Sequence, residues 1–215
     1  MLKMIERRNN YEETKKRTQA VFLEYDQLRM IERLALDADE RWISFPFMGS
    51  ACRVDRKTGL VERADVITGE YAEADFNSAM TVYDLLCGSS EDAAPSGEFV
   101  AMGSLCAMHS AAAVFGEGSS FRRQAQAFDR DPDKLKAALK ALGAVLVAGG
   151  DVCGEISVFG KLKVMVRFWR SDEDFPAQLQ LLWDKNVLSY MHYETVWYAN
   201  GAIVNDLVRA SGIDE

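Results

Sequence analysis

The stretch from Ile156 to Asp184, ISVFGKLKVMVRFWRSDEDFPAQLQLLWD, constrains the fold more than any other part of the chain. Leu162, Val164, Val166 and Phe168 alternate with Lys163, Met165, Arg167 and Trp169. That period of two belongs to a strand whose faces meet different surroundings. Ile156 and Val158 alternate with Glu155, Ser157 and Phe159 just before it, and Gly160-Lys161 supplies a hairpin turn between the two runs. Downstream, Asp172, Glu173 and Asp174 followed by Phe175-Pro176 read as a helix start. Proline has its φ preset for the first helical position, and carboxylates there favour the exposed N–H groups. Leu179, Leu182 and Trp183 then fall at helical spacing, which predicts an amphipathic helix running on to about Met191.

A chain of 215 residues with 48% hydrophobic content can bury a full core without disulfides or metal. Its formal charge of −8 excludes a general nucleic-acid binder, which needs a basic surface, and disfavours an acidic membrane surface for the same reason. Cys52, Cys87, Cys106 and Cys153 are widely scattered without a CxxC pair and read as reduced thiols. The first residues, MLKMIERRNNYEET, lack the apolar core of a signal peptide, and no run is long enough to span a bilayer. A soluble cytoplasmic protein is the expectation.

In chain order, residues 1–36 read as one long helix packed on the domain, with Asn10 as N-cap and Glu13 completing a capping box. Arg7, Arg8, Lys15, Lys16 and Arg17, interleaved with glutamates, read as its solvated face. Residues 37–215 form the α+β domain. Ile43, Phe45 and Phe47 mark a strand that Pro46 confines to an edge or a bulge, and Cys52 and Val54 mark the next. Asp55-Arg56-Lys57-Thr58-Gly59 turns into a return strand at Leu60-Val61. A helix from Asn77 to Cys87 precedes a loop near 89–97 whose composition reads as mobile, and then a short strand from Glu98 to Met102. Small residues crowd 101–120, with a helix expected from Leu105 to Phe115. Further helices are expected near Gln124–Phe128, after Asp131-Pro132, and from Tyr193 to Ala210, with a strand at Ala144–Val147. The fold class is α+β: one domain of antiparallel hairpins packed on several helices, among them a long N-terminal helix and C-terminal helices.

Three constellations carry chemistry. Cys106 and His109, three residues apart, would share one helical face and could supply half of a metal site. Gly116-Glu117-Gly118-Ser119-Ser120 ahead of Arg122 and Arg123 resembles an anion cradle, although Glu117 repels phosphate and a turn with an N-cap is the favoured reading. The densest candidate surface is Arg167, Trp169, Trp183, Tyr190, His192, Tyr193, Glu194, Trp197, Tyr198 and Asn200. Tyrosine and tryptophan cover apolar area while keeping a hydrogen-bonding handle, as pockets and interfaces require, and core packing draws on the same residues.

The runs FWRSDEDFPAQLQLLWD (168–184), HYETVWYANG (192–201) and DRKTG (55–59), with the helix ahead of GEFV (97–100), resemble the domain of unknown function 3786 family. That resemblance implies a protein of anaerobic bacteria or archaea, some of whose relatives carry a cysteine-rich iron–sulfur module of the kind found in corrinoid proteins. The four scattered cysteines here do not form that module. The family lends no catalytic residue and no cofactor.

Three functions follow as expectations. The first is a non-catalytic domain that binds a small molecule or a protein partner through the surface around 167–200, tied to anaerobic redox or one-carbon metabolism. The second is an enzyme in which Arg167 holds an anionic substrate and His192 or Glu194 acts as acid or base. The third is a metal protein using Cys106 and His109.

Overall fold

The computed structural model describes residues 2–105 and 121–213, with side chains from Asn10 onward. The expected helix at Leu105–Phe115, the Cys106/His109 pair and the Gly116–Ser120 cradle therefore lie outside the described residues. The chain opens with two helices, α1 (Leu2–Phe22) and α2 (Gln27–Leu34). Strands β1 (Asp37–Ala38), β2 (Trp42–Phe47), β3 (Ser50–Asp55), β4 (Val61–Ala64) and β5 (Tyr71–Glu73) follow, and then helix α3 (Phe76–Gly88). Next come β6 (Phe99–Ala101), α4 (Arg122–Arg130) and α5 (Pro132–Ala141). The rest is β7 (Val145–Leu146), β8 (Val152–Phe159), β9 (Leu162–Trp169), β10 (Gln178–Asp184) and α6 (Tyr193–Ser211). No helix among the described residues is long and apolar enough to cross a membrane.

The strands form two antiparallel sheets. One is the meander β1-β2-β3-β4-β5; the other has the order β6-β10-β9-β8-β7. Two turns of the meander share one device. Asp55 and Asp65 each accept backbone N–H groups two and three residues on, and Gly59 and Gly69 close the loops with φ of 74° and 72°. An aspartate that mimics the turn's own carbonyl, followed by a residue free to take positive φ, specifies such a reversal. The sequence DVITG thus repeats DRKTG and starts β5, a strand that the period-two reading had missed.

Two expectations are corrected. The first 36 residues form two helices, not one: the chain breaks after Phe22, which is fully buried, and Asp26 caps α2 by accepting from Leu28 and Arg29 at 3.0 and 3.1 Å. Asn10 lies inside α1, not at its start. Lys15 departs from the solvated face: it is buried, bonded to Glu73 at 2.5 Å and to the Ala74 carbonyl at 2.8 Å, and so fastens α1 to the meander's edge. The second correction concerns the segment after Pro176, which is the strand β10. Gln178, Leu179, Gln180 and Leu181 alternate between half-buried and buried, and β10 pairs with β9 along its length. Strand pairing wins because Leu179, Leu181 and Trp183 all reach one core face, which a helix would divide. Asp172 caps no helix; it closes a tight turn, accepting from Asp174 at 2.9 Å and Phe175 at 2.7 Å.

The two sheets meet at the tip of the β2–β3 hairpin. Met48 and Gly49 form the two-residue turn with φ of 49° and 77°, the combination that matches the twist of the flanking strands. Met48 donates its backbone N–H to the Val158 carbonyl at 3.1 Å, and Phe45 packs edge-on against Phe159 at 5.5 Å. Arg63 of β4 reaches the Met48 carbonyl at 3.2 Å and pairs with Asp206 of α6 at 2.5 Å. Arg209 of the same helix pairs with Asp65. Helix α3 lies against α6 closely enough that a side chain at Gly201 would have to displace the Asn77 amide. Residues 89–97 cross to the end of β10, where buried Asp184 accepts from the Ser96 and Gly97 N–H groups at 2.9 and 2.8 Å.

At Gly49, a Cβ would drive into the Leu142 carbonyl and would also require an unfavourable positive φ. Gly49→Ala should cost about 3 kcal/mol or more. Urea denaturation followed by circular dichroism checks this, and a loss below about 1 kcal/mol would show that the tip can withdraw from α5 without consequence.

Candidate functional site

Among the described residues, strand β6 pairs with Leu182, Trp183 and Asp184, so the first half of β10 runs past its end. A recess of about 50 Å³ opens there, lined by Ala101, Met102, Phe121, residues 179–182 of β10, and Trp197 and Asn200 from α6. By that measure one water requires roughly 10–15 Å³, so the recess suits about four water-sized groups. Its walls are chiefly Leu179, Leu181 and Leu182, from both faces of β10, with Phe121 from the residue ahead of α4.

The polar groups of the recess are oriented by their neighbours. Asn200 is 5% exposed, and its Oδ1 accepts from the Trp183 indole at 2.7 Å. An indole N–H can only donate, so the amide must turn its oxygen to Trp183 and its NH₂ away. Among the described residues, that NH₂ meets the Met102 thioether at 3.7 Å, a weak acceptor. Gln180 repeats the arrangement: its Oε1 accepts from Arg167 at 3.2 Å, and a guanidinium likewise only donates. Two amides thus have their oxygens engaged and their donors left over, at the same recess.

Arg167 stands on the β9 face next to Gln180, its guanidinium 4.5 Å over the Trp169 ring. Its Nε is buried without a partner, and no carboxylate pairs with it among the described residues. Gly149 and Gly150 carry the chain across this cation; a side chain at Gly149 would press on the Cys153 sulfur at 3.3 Å. Burial pushes the Cys153 thiol above its ordinary value, and Arg167 only partly offsets this, so the sulfur remains a neutral thiol.

The remaining candidates lie elsewhere. Tyr190 is buried beneath the turn ahead of α6, and Tyr193 is half-buried at its start. His192 and Glu194 line a groove between helices, with Tyr198. There Asp84 of α3 accepts the His192 backbone N–H at 2.7 Å and meets its Nδ1 at 2.7 Å. Arg167 is not among the residues lining that groove. Of the sequence candidates, Trp197 and Asn200 line the recess, Trp183 and Arg167 reach it only through their bonds to Asn200 and Gln180, Trp169 lines a different concavity, and His192 and Glu194 line a further groove. Gln180, Met102 and Asp84 escaped the sequence reading. Gln180 carried a signal, its alternation with leucine, while the other two are brought in by tertiary contact alone.

The model of the family described as Domain of unknown function (DUF3786) matches residues 26–206. No curated protein and no solved structure matches the chain.

Trp183→Phe removes the donor that Asn200 depends on and leaves a buried oxygen unsatisfied. The expected loss is about 2–4 kcal/mol, and adding Asn200→Leu should recover part of it, because apolar groups at both positions leave no orphan. Equal losses in the single and double variants, measured by urea denaturation, would mean that volume and not the hydrogen bond decides. The Asp84 contact raises His192 above its ordinary 6.5. The folded state therefore holds the proton more tightly, and the stabilisation is complete below that value and fades as pH rises through the folded pKa. Unfolding midpoints of the native chain and His192→Asn should differ most at pH 5.5 and converge by pH 9.

Proposed function

We propose, for a chain that belongs to the domain of unknown function 3786 family, that it is a non-catalytic binding protein whose recess between β10 and α6 takes a compact organic molecule carrying an oxygen acceptor. The observation that carries this reading is the pair of amides at the recess, each with its oxygen engaged and its NH₂ left to offer. A carbonyl or carboxylate oxygen satisfies such donors, and the leucine and phenylalanine walls favour a short apolar remainder. Buried Asn200 gains most, because an amide donor facing a thioether forgoes a hydrogen bond worth about 1 kcal/mol. The enzyme reading has less support: it needs Arg167, His192 and Glu194 at one substrate, whereas the last two line a different groove. The role is that of a cytoplasmic accessory protein in anaerobic redox or one-carbon metabolism, as the family resemblance implies.

Titration calorimetry with butanamide, butanoate and 2-butanone, read alongside tryptophan fluorescence, tests the proposal. At least one should bind, and whether the amide or the acid binds better identifies the acceptor's charge. Ala101→Leu, which fills the recess without touching the Trp183–Asn200 bond, should abolish binding. The pair Trp183→Phe with Asn200→Leu should weaken it about tenfold or more, the equivalent of one lost hydrogen bond of about 1.4 kcal/mol. Undiminished binding in Ala101→Leu, or no binding of any of the three, would overturn the reading.

A further inference from the structure

Apart from the recess, a second and larger concavity of about 330 Å³ runs between α1, α3 and the start of α6, within the size range of ligand pockets. It is built from helical stripes. On the first helix Val21 and Phe22, with Tyr25 in the turn beyond, present one wall. Met80, Tyr83 and Asp84, at intervals of three and one along α3, form the floor, and Glu194 and Tyr198, four apart on α6, form the far wall. Val21 and Tyr25 stay 47% and 45% exposed, so the apolar rim is left uncovered.

Among the described residues no lysine or arginine lines this groove, and the nearest cation to act on its lining is Arg33, beside Cys87. The Tyr83 hydroxyl is held neutral by burial and donates to the Gly59 carbonyl at 2.8 Å, and burial pushes the Cys87 thiol up to about 12. His192 is engaged by Asp84. That leaves the Glu194 carboxylate, for which no ion pair or hydrogen bond exists among the described residues. The helix dipole accounts for an acidic residue in the first turn of α6. It does not account for the open aromatic wall beside it.

We propose that this groove binds an organic ammonium ion, with the charged nitrogen at Glu194 and the apolar body against Tyr25, Met80 and Tyr198. Aromatic faces attract a cation and bury its hydrocarbon, and a carboxylate at the rim selects charge over a neutral molecule of the same shape. The acidic chain, at −8 overall, draws cations toward it as well. This site is independent of the recess on β10.

The test compares 2-phenylethylamine with 2-phenylethanol, equal in shape and different in charge, by titration calorimetry at pH 7 and low salt. The amine should bind about tenfold tighter than the alcohol. Glu194→Gln should bring the two together, and Tyr198→Ala should weaken both, with circular dichroism showing that each variant is folded. Raising the pH through the His192 transition should tighten amine binding, because loss of that proton leaves Asp84 uncompensated. Ala101→Leu, which blocks the other recess, should leave amine binding unchanged, so either proposal can fail without the other. Equal affinity for amine and alcohol, no binding of either, or an unaltered amine affinity in Glu194→Gln would overturn the inference.

Discussion

The seating of the Met48-Gly49 turn against the second sheet is the contact on which the architecture depends. The first sheet is a local antiparallel meander, the second is one from β7 to β10 with β6 added from earlier in the chain, and neither can bury both faces alone. The turn projects the first meander into the second half, where the Val158 carbonyl receives Met48 and the Leu142 carbonyl presses on Gly49. Methionine pays a conformational penalty at positive φ, and being almost fully buried compensates for it. Phe45 against Phe159, and Arg63 above the turn, then align the sheets rather than merely bringing them together.

Local sequence carried the elements wherever one period was present alone. The alternation in 162–169, the Gly160 turn and the Asp131-Pro132 helix start all formed as their residues dictate. The segment 178–184 satisfied two periods at once. Leu179, Leu182 and Trp183 match a helix, and Gln178, Leu179, Gln180 and Leu181 match a strand. Only the vacant edge of β9 decides between them, and that edge is a tertiary fact. The break between α1 and α2 was hidden in another way: a continuous apolar and charged pattern concealed Asp26, a capping residue placed in mid-run.

The candidate surface was legible as a composition and not as a geometry. Aromatic and polar residues crowd 167–200, but a strand and a helix distribute them to opposite destinations. Trp183 and Asn200 became core partners, Arg167 and Trp169 a half-buried stack, and His192 a partner of Asp84, which lies 108 residues away. What no sequence pattern could report is the direction of an amide. The Asn200 and Gln180 donors turn away from these partners because an indole and a guanidinium claim their oxygens, and both partners arrive from elements that periodicity alone does not place beside them.

The Arg63–Asp206 pair joins residues 143 positions apart. Arg63 sits 9% exposed on β4, its charge withdrawn from water and paired, among the described residues, with a carboxylate of the last helix. Burying that guanidinium without its counter-charge costs several kcal/mol, so the first sheet draws part of its stability from the last helix, and the beginning and the end of the chain are energetically one unit rather than two halves laid side by side.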